Sequence, residues 1–421
     1  MKNQFLSAAK KLFLLLGVGV NVLPALCAQE FGESCYYFLG DYPRDANPDW
    51  TDKNAWGVVQ GLAHDRDHWF ITQERKIWKI PVGHDLNVSA NGAPGVVTLR
   101  LCDVANLCVC TNPFPGLPDI YFCTKYDHFG DPECYEFGGQ TFLLVPVEGD
   151  AGGQPPAIAL FRADSLAYVA HTTNLDQQTQ APWCAVDPQG NVYSSNFIID
   201  NNNPIRKYTV NRGGIDLNKL SFTLTNHIQL RDESDTVMSL TNVQGGVITP
   251  SGSLLYLVSG DWKKMLPTDG IHVFDLGSEV GSARRVACST RDPTGNSGSF
   301  IYEINNGHDL SQEAEGLTFW DLDDGRAPGI SGQLHVLLVG HNLLNDVIFF
   351  KHYAGTLHVD RFWGGSHTGS LREPFNTVNQ ANNRIWDGGQ IKIKSASYPE
   401  TLTFSKHIKV LASGGPVTIG Q

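Results

Sequence analysis

The sequence predicts an all-β protein, a β-propeller of five blades followed by a short β-rich appendage. Short runs rich in β-branched and aromatic residues, each closed by Asp, Gly or Asn, follow one another along most of the 421 residues. They come in groups of three or four whose first members recur roughly every 50 to 70 residues, near the long end of propeller-blade periods. The helical patterns that would alternate with strands in an α/β fold are almost absent. A meander of a few strands cannot bury both its faces alone, and stacking copies side by side solves that problem.

In chain order, the first copy runs 60–65, 68–72 and 76–82, with 97–101 as its fourth strand. The second is 127–137, 141–149 and 156–163, closed by 167–171. The third is 181–190, 191–197 and 204–210, closed by 227–230, and the fourth is 244–252, 254–259 and 270–276, closed by 285–289. The fifth, 313–326, 332–341 and 346–353, has no fourth strand of its own. The N-terminal strand 34–39 is expected to supply it and to close the ring by pairing the chain ends. The long segments 83–125 and 280–310 have room for further strands, which leaves six blades as the alternative.

Three first strands open with an amide or acid followed by glycine: Gln60-Gly61, Gln244-Gly245 and Glu315-Gly316. The innermost strand of a blade lines the central channel, so these side chains are expected to meet near one mouth. Glu315 alone of the three is an acid, and its glycine lets the backbone approach a ligand. The expected ligand-binding set at the mouth is Gln60, Gln244, Glu315 and His128.

His64-Asp65 and Asp127-His128 fall at loosely equivalent positions, and His308 and Asp309 precede the Glu315 strand. Were they to converge, Glu315, His64 and Asp65 would hold a metal, Ca²⁺ through the oxygens or a transition metal through imidazole. No other cofactor is indicated. Asp321-Leu322-Asp323-Asp324-Gly325 lacks the distal Glu of an EF-hand and reads as a turn, as does Asp187-Pro188-Gln189-Gly190. Trp56, Trp69, Trp78, Trp183, Trp262 and Trp320 are either sugar-stacking platforms or core, and core is favoured because large aromatics are mostly buried. There is no Gly-x-Ser-x-Gly elbow, no His-Glu-x-x-His and no phosphate-cradling glycine loop.

A net charge of -12 disfavours nucleic acid and anionic membranes as partners, since both need basic patches, and it attracts cations. Residues 1–28 place Lys2, Lys10 and Lys11 before an apolar run and small residues, the pattern of a secretory signal peptide. The expected location is therefore secreted, extracellular or periplasmic, and no later stretch is apolar enough to span a bilayer. The expected domains are signal peptide 1–28, propeller 29–355 and appendage 356–421. Eight of the nine cysteines lie beyond the signal, which in an exported chain favours disulfides. Five of them crowd between Cys102 and Cys134, and their pairing is not readable from spacing.

After Tyr353 the pattern changes to His358-Val359-Asp360, Gly369-Ser370, Pro374-Phe375, Gly388-Gly389-Gln390-Ile391 and Tyr398-Pro399-Glu400. This resembles the opening coils of right-handed parallel β-helices of the pectin-lyase-like kind, and the length fits two or three rungs. The acidic catalytic residues of those helices sit on middle coils with no counterpart here, so the resemblance implies a cap, spacer or contact surface. The propeller segment, through Asp127-His128-Phe129-Gly130-Asp131 and Val145-Pro146-Val147-Glu148-Gly149, resembles a group of secreted bacterial propellers without assigned activity. Glu315-Gly316-Leu317 is similar to a channel-facing strand of calcium-dependent phytase-like and lactonase-like propellers.

Fold does not fix function in propellers. The leading expectation is a binding or scaffold protein, not an enzyme, that presents a small molecule or glycan site at the channel mouth. The alternative is a Ca²⁺-dependent hydrolase of phytase-like or lactonase-like type, with the cation polarising substrate and activating water. A glycan-active enzyme, prompted by the appendage, is the third.

Overall fold

The structure is a computed structural model, and it describes residues 36–46, 49–51, 58–111, 122–123, 125–148, 154–211, 220–261, 266–291, 311–341, 347–367, 369–371, 373–385, 389–406 and 408–420. The signal-peptide reading, His308, Asp309, Trp56 and Trp262 fall outside these residues.

The first strand in the chain, β1 (Tyr37–Ala46), belongs to the last sheet. The first four-stranded antiparallel unit is β2 (Val59–His64), β3 (His68–Gln73), β4 (Lys76–Pro81) and β5 (Val97–Arg100). A small hairpin, β6 (Cys110–Thr111) with β7 (Phe122–Cys123), follows in the cysteine-rich insertion. In the second unit, β8 (His128–Phe129) and β9 (Glu133–Phe137) pair in turn along β10 (Gln140–Glu148), backed by β11 (Ala157–Arg162) and β12 (Tyr168–Thr172). The third is β13 (Cys184–Val186), β14 (Asn191–Ser194), β15 (Ile205–Val210) and β16 (Phe222–Arg231). The fourth is β17 (Val243–Ile248), β18 (Leu254–Ser259), β19 (Gly270–Glu279) and β20 (Ser282–Thr290), and a short parallel pairing joins β20 to β16. The fifth is β21 (Ser311–Phe319), β22 (Leu334–His341) and β23 (Val347–Ala354), and β1 pairs antiparallel with β23 as its outer strand. The chain ends thus close the last sheet, as the missing fourth strand of the fifth copy led one to expect.

Middle strands are covered on both faces, and their sequences show why. Every residue of β18 is buried: Leu255 and Leu257 join the core against the third unit, while Leu254, Tyr256 and Val258 join the core against the fifth. Period-two alternation here separates two apolar faces, not an apolar face from a wet one. Likewise, Phe70 of β3 packs toward the second unit, whereas Trp69 and Ile71 pack toward the fifth. Five such clusters join each unit to the next and the fifth back to the first. At roughly 1.5–3 kcal/mol per fully buried large apolar side chain, they are the main force holding the ring. Closed in this way, the molecule is a β-propeller.

After the ring come β24 (Thr356–Val359), helix α1 (Val378–Arg384), β25 (Gln390–Lys394), β26 (Ser397–Tyr398), β27 (Lys409–Ser413) and β28 (Thr418–Ile419). The pairing switches to parallel: β24, β25 and β27 form one ladder, β26 and β28 another. Thr377 and Gln380 form a capping box at the start of α1, and Glu400 accepts from the N–H groups of Val378 at 2.8 Å and Asn379 at 2.7 Å. Tyr37 of β1 is buried in this segment's core, and Arg384 Nη2 donates to Phe38 O at 3.1 Å. The closing strand is therefore held by β23 along one edge and by the appendage at its start.

The disulfide expected in the cysteine-rich insertion is present, Cys102 bonded to Cys110, while Cys134 and Cys184 are in no disulfide. Cys184, on the innermost strand β13, lies in the core between the second and third units, and Cys134, on β9, packs against the core between the first and second; in both places a thiol serves as a small apolar side chain.

Candidate functional site

The innermost strands β2, β9, β13, β17 and β21 touch one another around a closed circle. At its centre is Asp131, between β8 and β9, with no exposed surface. Asp131 Oδ1 accepts from Leu62 N at 2.8 Å and Oδ2 from Gly246 N at 3.1 Å, and Leu317 N donates to the carboxylate as well. Its own N–H donates to Pro182 O at 2.8 Å, and its carbonyl accepts from Cys184 N at 3.2 Å. One residue thereby bonds to the innermost chain of every other unit.

The recurring glycines exist for this contact. A Cβ on Gly61 would lie 2.3 Å from Asp131 Cα, one on Gly316 2.3 Å from Asp131 Oδ1, and one on Gly245 2.8 Å from Oδ2. At this level the centre is a sealed plug of glycine backbone around a carboxylate. Burial drives the Asp131 carboxyl well above the usual range, against the pull of three N–H donors.

Gln60, Gln244 and Glu315 are equivalent, as the repeat implied, and the reason is a shared irregularity. The ladders skip from Val59 to Gly61, from Val243 to Gly245 and from Ala314 to Gly316, so each of the three is the extra residue of a β-bulge. His128 Nε2 donates to Gln60 Oε1 at 2.6 Å, and Gln244 Nε2 donates to Glu313 Oε1 at 2.5 Å. Glu315 is 2% exposed, and its Oε2 has no hydrogen-bond partner among the described residues. Burial first, then the charges of Glu313, Glu74 and Asp131, push its carboxyl well above the usual range. The expected binding set thus resolves into two amide-centred pairs and a buried acid.

The expected metal set does not assemble. His64 lies four residues beyond Gln60 on β2, about 13 Å along an extended strand. Its Nδ1 is 2.8 Å from Asp65 O and its Nε2 2.6 Å from Phe319 O, so neither nitrogen is offered to a cation, and its ring stacks on Trp320 at 4.4 Å. Asp65 Oδ1 accepts from the N–H groups of Asp67 and His68, both at 2.7 Å, as a turn residue does. Among the described residues, the cluster with ligand-like spacing is Cys102, Cys108 and Cys110, and all three are disulfide-bonded. The Asp321–Gly325 stretch is a turn: Asp321 Oδ1 accepts from Asp323 N at 3.1 Å. Trp69, Trp78, Trp183 and Trp320 are buried core, not platforms.

The cavity is at the other end of the plug. A space of ≈ 470 Å³ is lined by residues on or just beyond all five innermost strands, among them His64, Glu133, Tyr135, Gln189, Thr249 and Thr318. Among the described residues, no Lys or Arg lines it. Asp187, also in the lining, is committed elsewhere, accepting from Gln189 N and Asn191 N and pairing with Lys207 at 3.2 Å. Glu133 accepts from Cys134 N at 2.8 Å, and burial raises its carboxyl to about 8. The Tyr135 hydroxyl has no partner among the described residues. The wall therefore offers the raised Glu133 carboxyl, a second carboxyl from Glu136, hydroxyls and an amide between the apolar faces of Val186, Ile248 and Phe319. Sequence reasoning missed Glu133, which carries no motif, and Asp131, which closes the quoted Asp127-His128-Phe129-Gly130-Asp131 run.

No protein-family model matches the chain, and no curated protein matches it. Solved structures that align with it include a β-xylosidase, RS223, at 8% identity and TM-score 0.39, covering 71% of this chain and 94% of that one. A Cellvibrio cellulosa α-L-arabinanase aligns at 13% identity and TM-score 0.36, covering 70% and 91%, and the Dos1 propeller at 11% and 0.30, covering 70% and 68%. No activity is carried over from these names.

Proposed function

We propose that this chain is a secreted binding protein built on a five-bladed propeller, whose ligand sits in the cavity at the His64 end of the central plug. The observation that supports this is the cavity itself, lined by residues on or just beyond all five innermost strands. Concave sites with a few convergent polar groups on apolar walls are the usual form of small-molecule sites. With no Lys or Arg among the described residues of the wall, and with the carboxyls of Glu133 and Glu136 in it, the chemistry favours a neutral hydroxylated ligand over a phosphate or carboxylate. The appendage, read as two or three β-helix-like rungs, acts as a buttress for the closing strand.

The test is a thermal-shift screen of neutral oligosaccharides and polyols, with hits repeated on Gln189→Trp, which fills the mouth. Hits are expected to lose their shift in that variant, and a shift that survives overturns the assignment. Glu133 supports a second reading, a glycan-active enzyme in which this acid protonates a leaving group. Glu133→Gln that keeps binding but abolishes turnover would select it; a variant that binds alike, with no wild-type turnover to lose, selects the binder.

A further inference from the structure

Two histidines face each other in the sheet that closes the ring. His335 on β22 and His352 on β23 are register partners, 0% and 3% exposed. Their Nδ1 atoms are 2.8 Å apart. Each remaining nitrogen meets a backbone carbonyl: His335 Nε2 is 2.8 Å from Trp320 O, and His352 Nε2 is 2.7 Å from Tyr42 O of β1.

A carbonyl oxygen only accepts, so both Nε2 atoms must carry hydrogen, and a neutral imidazole so protonated has a bare Nδ1. Two bare lone pairs at hydrogen-bond distance repel, and the contact becomes favourable only with a proton between them. Three contacts need three hydrogens, one more than two neutral rings hold. We infer that His335 and His352 bind one proton in common, as a buried imidazole–imidazolium pair that ties the N-terminal strand to the last unit. This stands apart from the cavity and its ligand.

The surroundings fit a buried cation held without a carboxylate. Trp69 meets His335 edge-on at 5.4 Å, and the ring of Phe350 lies 4.5 Å from that of His352. Of the charged groups around the pair, Lys351 on β23 is neutralised by Asp41 of β1 at 3.1 Å. Arg326 lies over the Trp320 ring at 5.0 Å, and Asp85 accepts from the Tyr42 hydroxyl at 2.7 Å. His64 of β2 is the remaining titratable neighbour. Burial first, with the charge of Lys351 beside His352, pushes both imidazoles down, His352 to about 4 even with its carbonyl contact, and this opposes the shared proton. The N–H···N bond and the two carbonyls act in the other direction, and the pair titrates as a unit.

The two outcomes have opposite signs. A shared proton means a folded value raised above the ordinary histidine value of about 6.5. Its stabilisation is then complete below that value and is lost as pH rises through the folded one. Two neutral rings would instead contribute stability above about 6.5 that is lost as pH falls. The experiment is nitrogen-15 NMR of the full chain labelled at histidine, at pH 7. Expected is one strongly downfield N–H proton correlated with ring nitrogens of both residues, and hydrogen on both Nε2 atoms, with the signal lost in His352→Gln. A spectrum with one Nδ1–H and a bare Nε2 on the same ring overturns the inference. Independently, the Tm gap between wild type and His352→Gln should narrow from pH 6 to pH 9, and a gap that widens refutes the shared proton.

Discussion

Removing the central carboxylate is the most direct challenge to the plug. In Asp131→Ala the N–H groups of Leu62, Gly246 and Leu317 lose their acceptor at a point with no exposed surface. An unsatisfied buried donor costs about 1–3 kcal/mol, so three cost roughly 3–9 kcal/mol, a large part of the 5–15 kcal/mol that keeps a domain folded. Asp131→Asn keeps one oxygen but turns an amide N–H toward a backbone donor, and a loss of about 1–4 kcal/mol is expected. The assay is urea unfolding followed by tryptophan fluorescence. Gly316→Ala supplies the cross-check, since its Cβ would lie 2.3 Å from Asp131 Oδ1. Its cost should fall by more than about 1 kcal/mol in the Asp131→Ala background, where that atom is gone, although the 2.6 Å approach to Gly61 Cα remains. An Asp131→Ala protein within about 1 kcal/mol of wild type, or strict additivity of the two substitutions, would refute the account of the plug.

Three further outcomes are expected. Glu133 carries a value raised to about 8, so its contribution is fully present below the ordinary carboxyl range and declines as pH rises through 8. Glu133→Gln, which mimics the protonated form, should therefore melt higher than wild type at pH 9 and about equally at pH 5, by less than about 5 kcal/mol in all; a variant less stable at pH 9 contradicts this. Deleting 36–46 removes β1, its ladder to β23 and Tyr37 from the appendage core, and should abolish cooperative melting in calorimetry. Cys134 and Cys184, with thiols pushed well up by burial, should resist iodoacetamide in the native protein and react once denatured without reductant, whereas Cys102 and Cys110 should not; rapid native labelling of Cys184 would argue against its burial.

Calcium is a separate matter, because Glu315 is the one acid of the expected metal set placed by the plug. Its carboxyl is pushed up by burial and by Glu313, which disfavours the ionised form that a cation needs. Millimolar calcium is expected to leave Tm unchanged relative to chelator near pH 7, and Glu315→Gln to be close to neutral in stability. A calcium-dependent rise in Tm that Glu315→Gln abolishes would restore the cation reading at that residue.

Strand positions were legible because they depend on local chemistry. Runs such as Leu254–Ser259 or Lys76–Pro81 carry β-branched and aromatic residues between turn formers, whatever lies opposite. The recurrence of an amide or acid before glycine was legible too, and it marks a real equivalence, the bulge on three innermost strands. What the glycines close on was not, because the partner is a single aspartate 69 residues from Leu62 and 115 from Gly246. Nothing in the spelling of Gly61, Gly245 and Gly316 names Asp131. The same limit bears on the expected metal set: His64 and Asp65 are neighbours in sequence, but Asp65 accepts from N–H groups of its own turn and the His64 ring meets two backbone carbonyls, one of them 255 residues away. Burial, too, is a property of the assembled ring. Glu133 and Glu315 are ordinary acids in the sequence, and only the packing of neighbouring units raises their carboxyls above the usual range. Local pattern fixed which residues form strands, and the closing of five sheets around one carboxylate decided which of them meet.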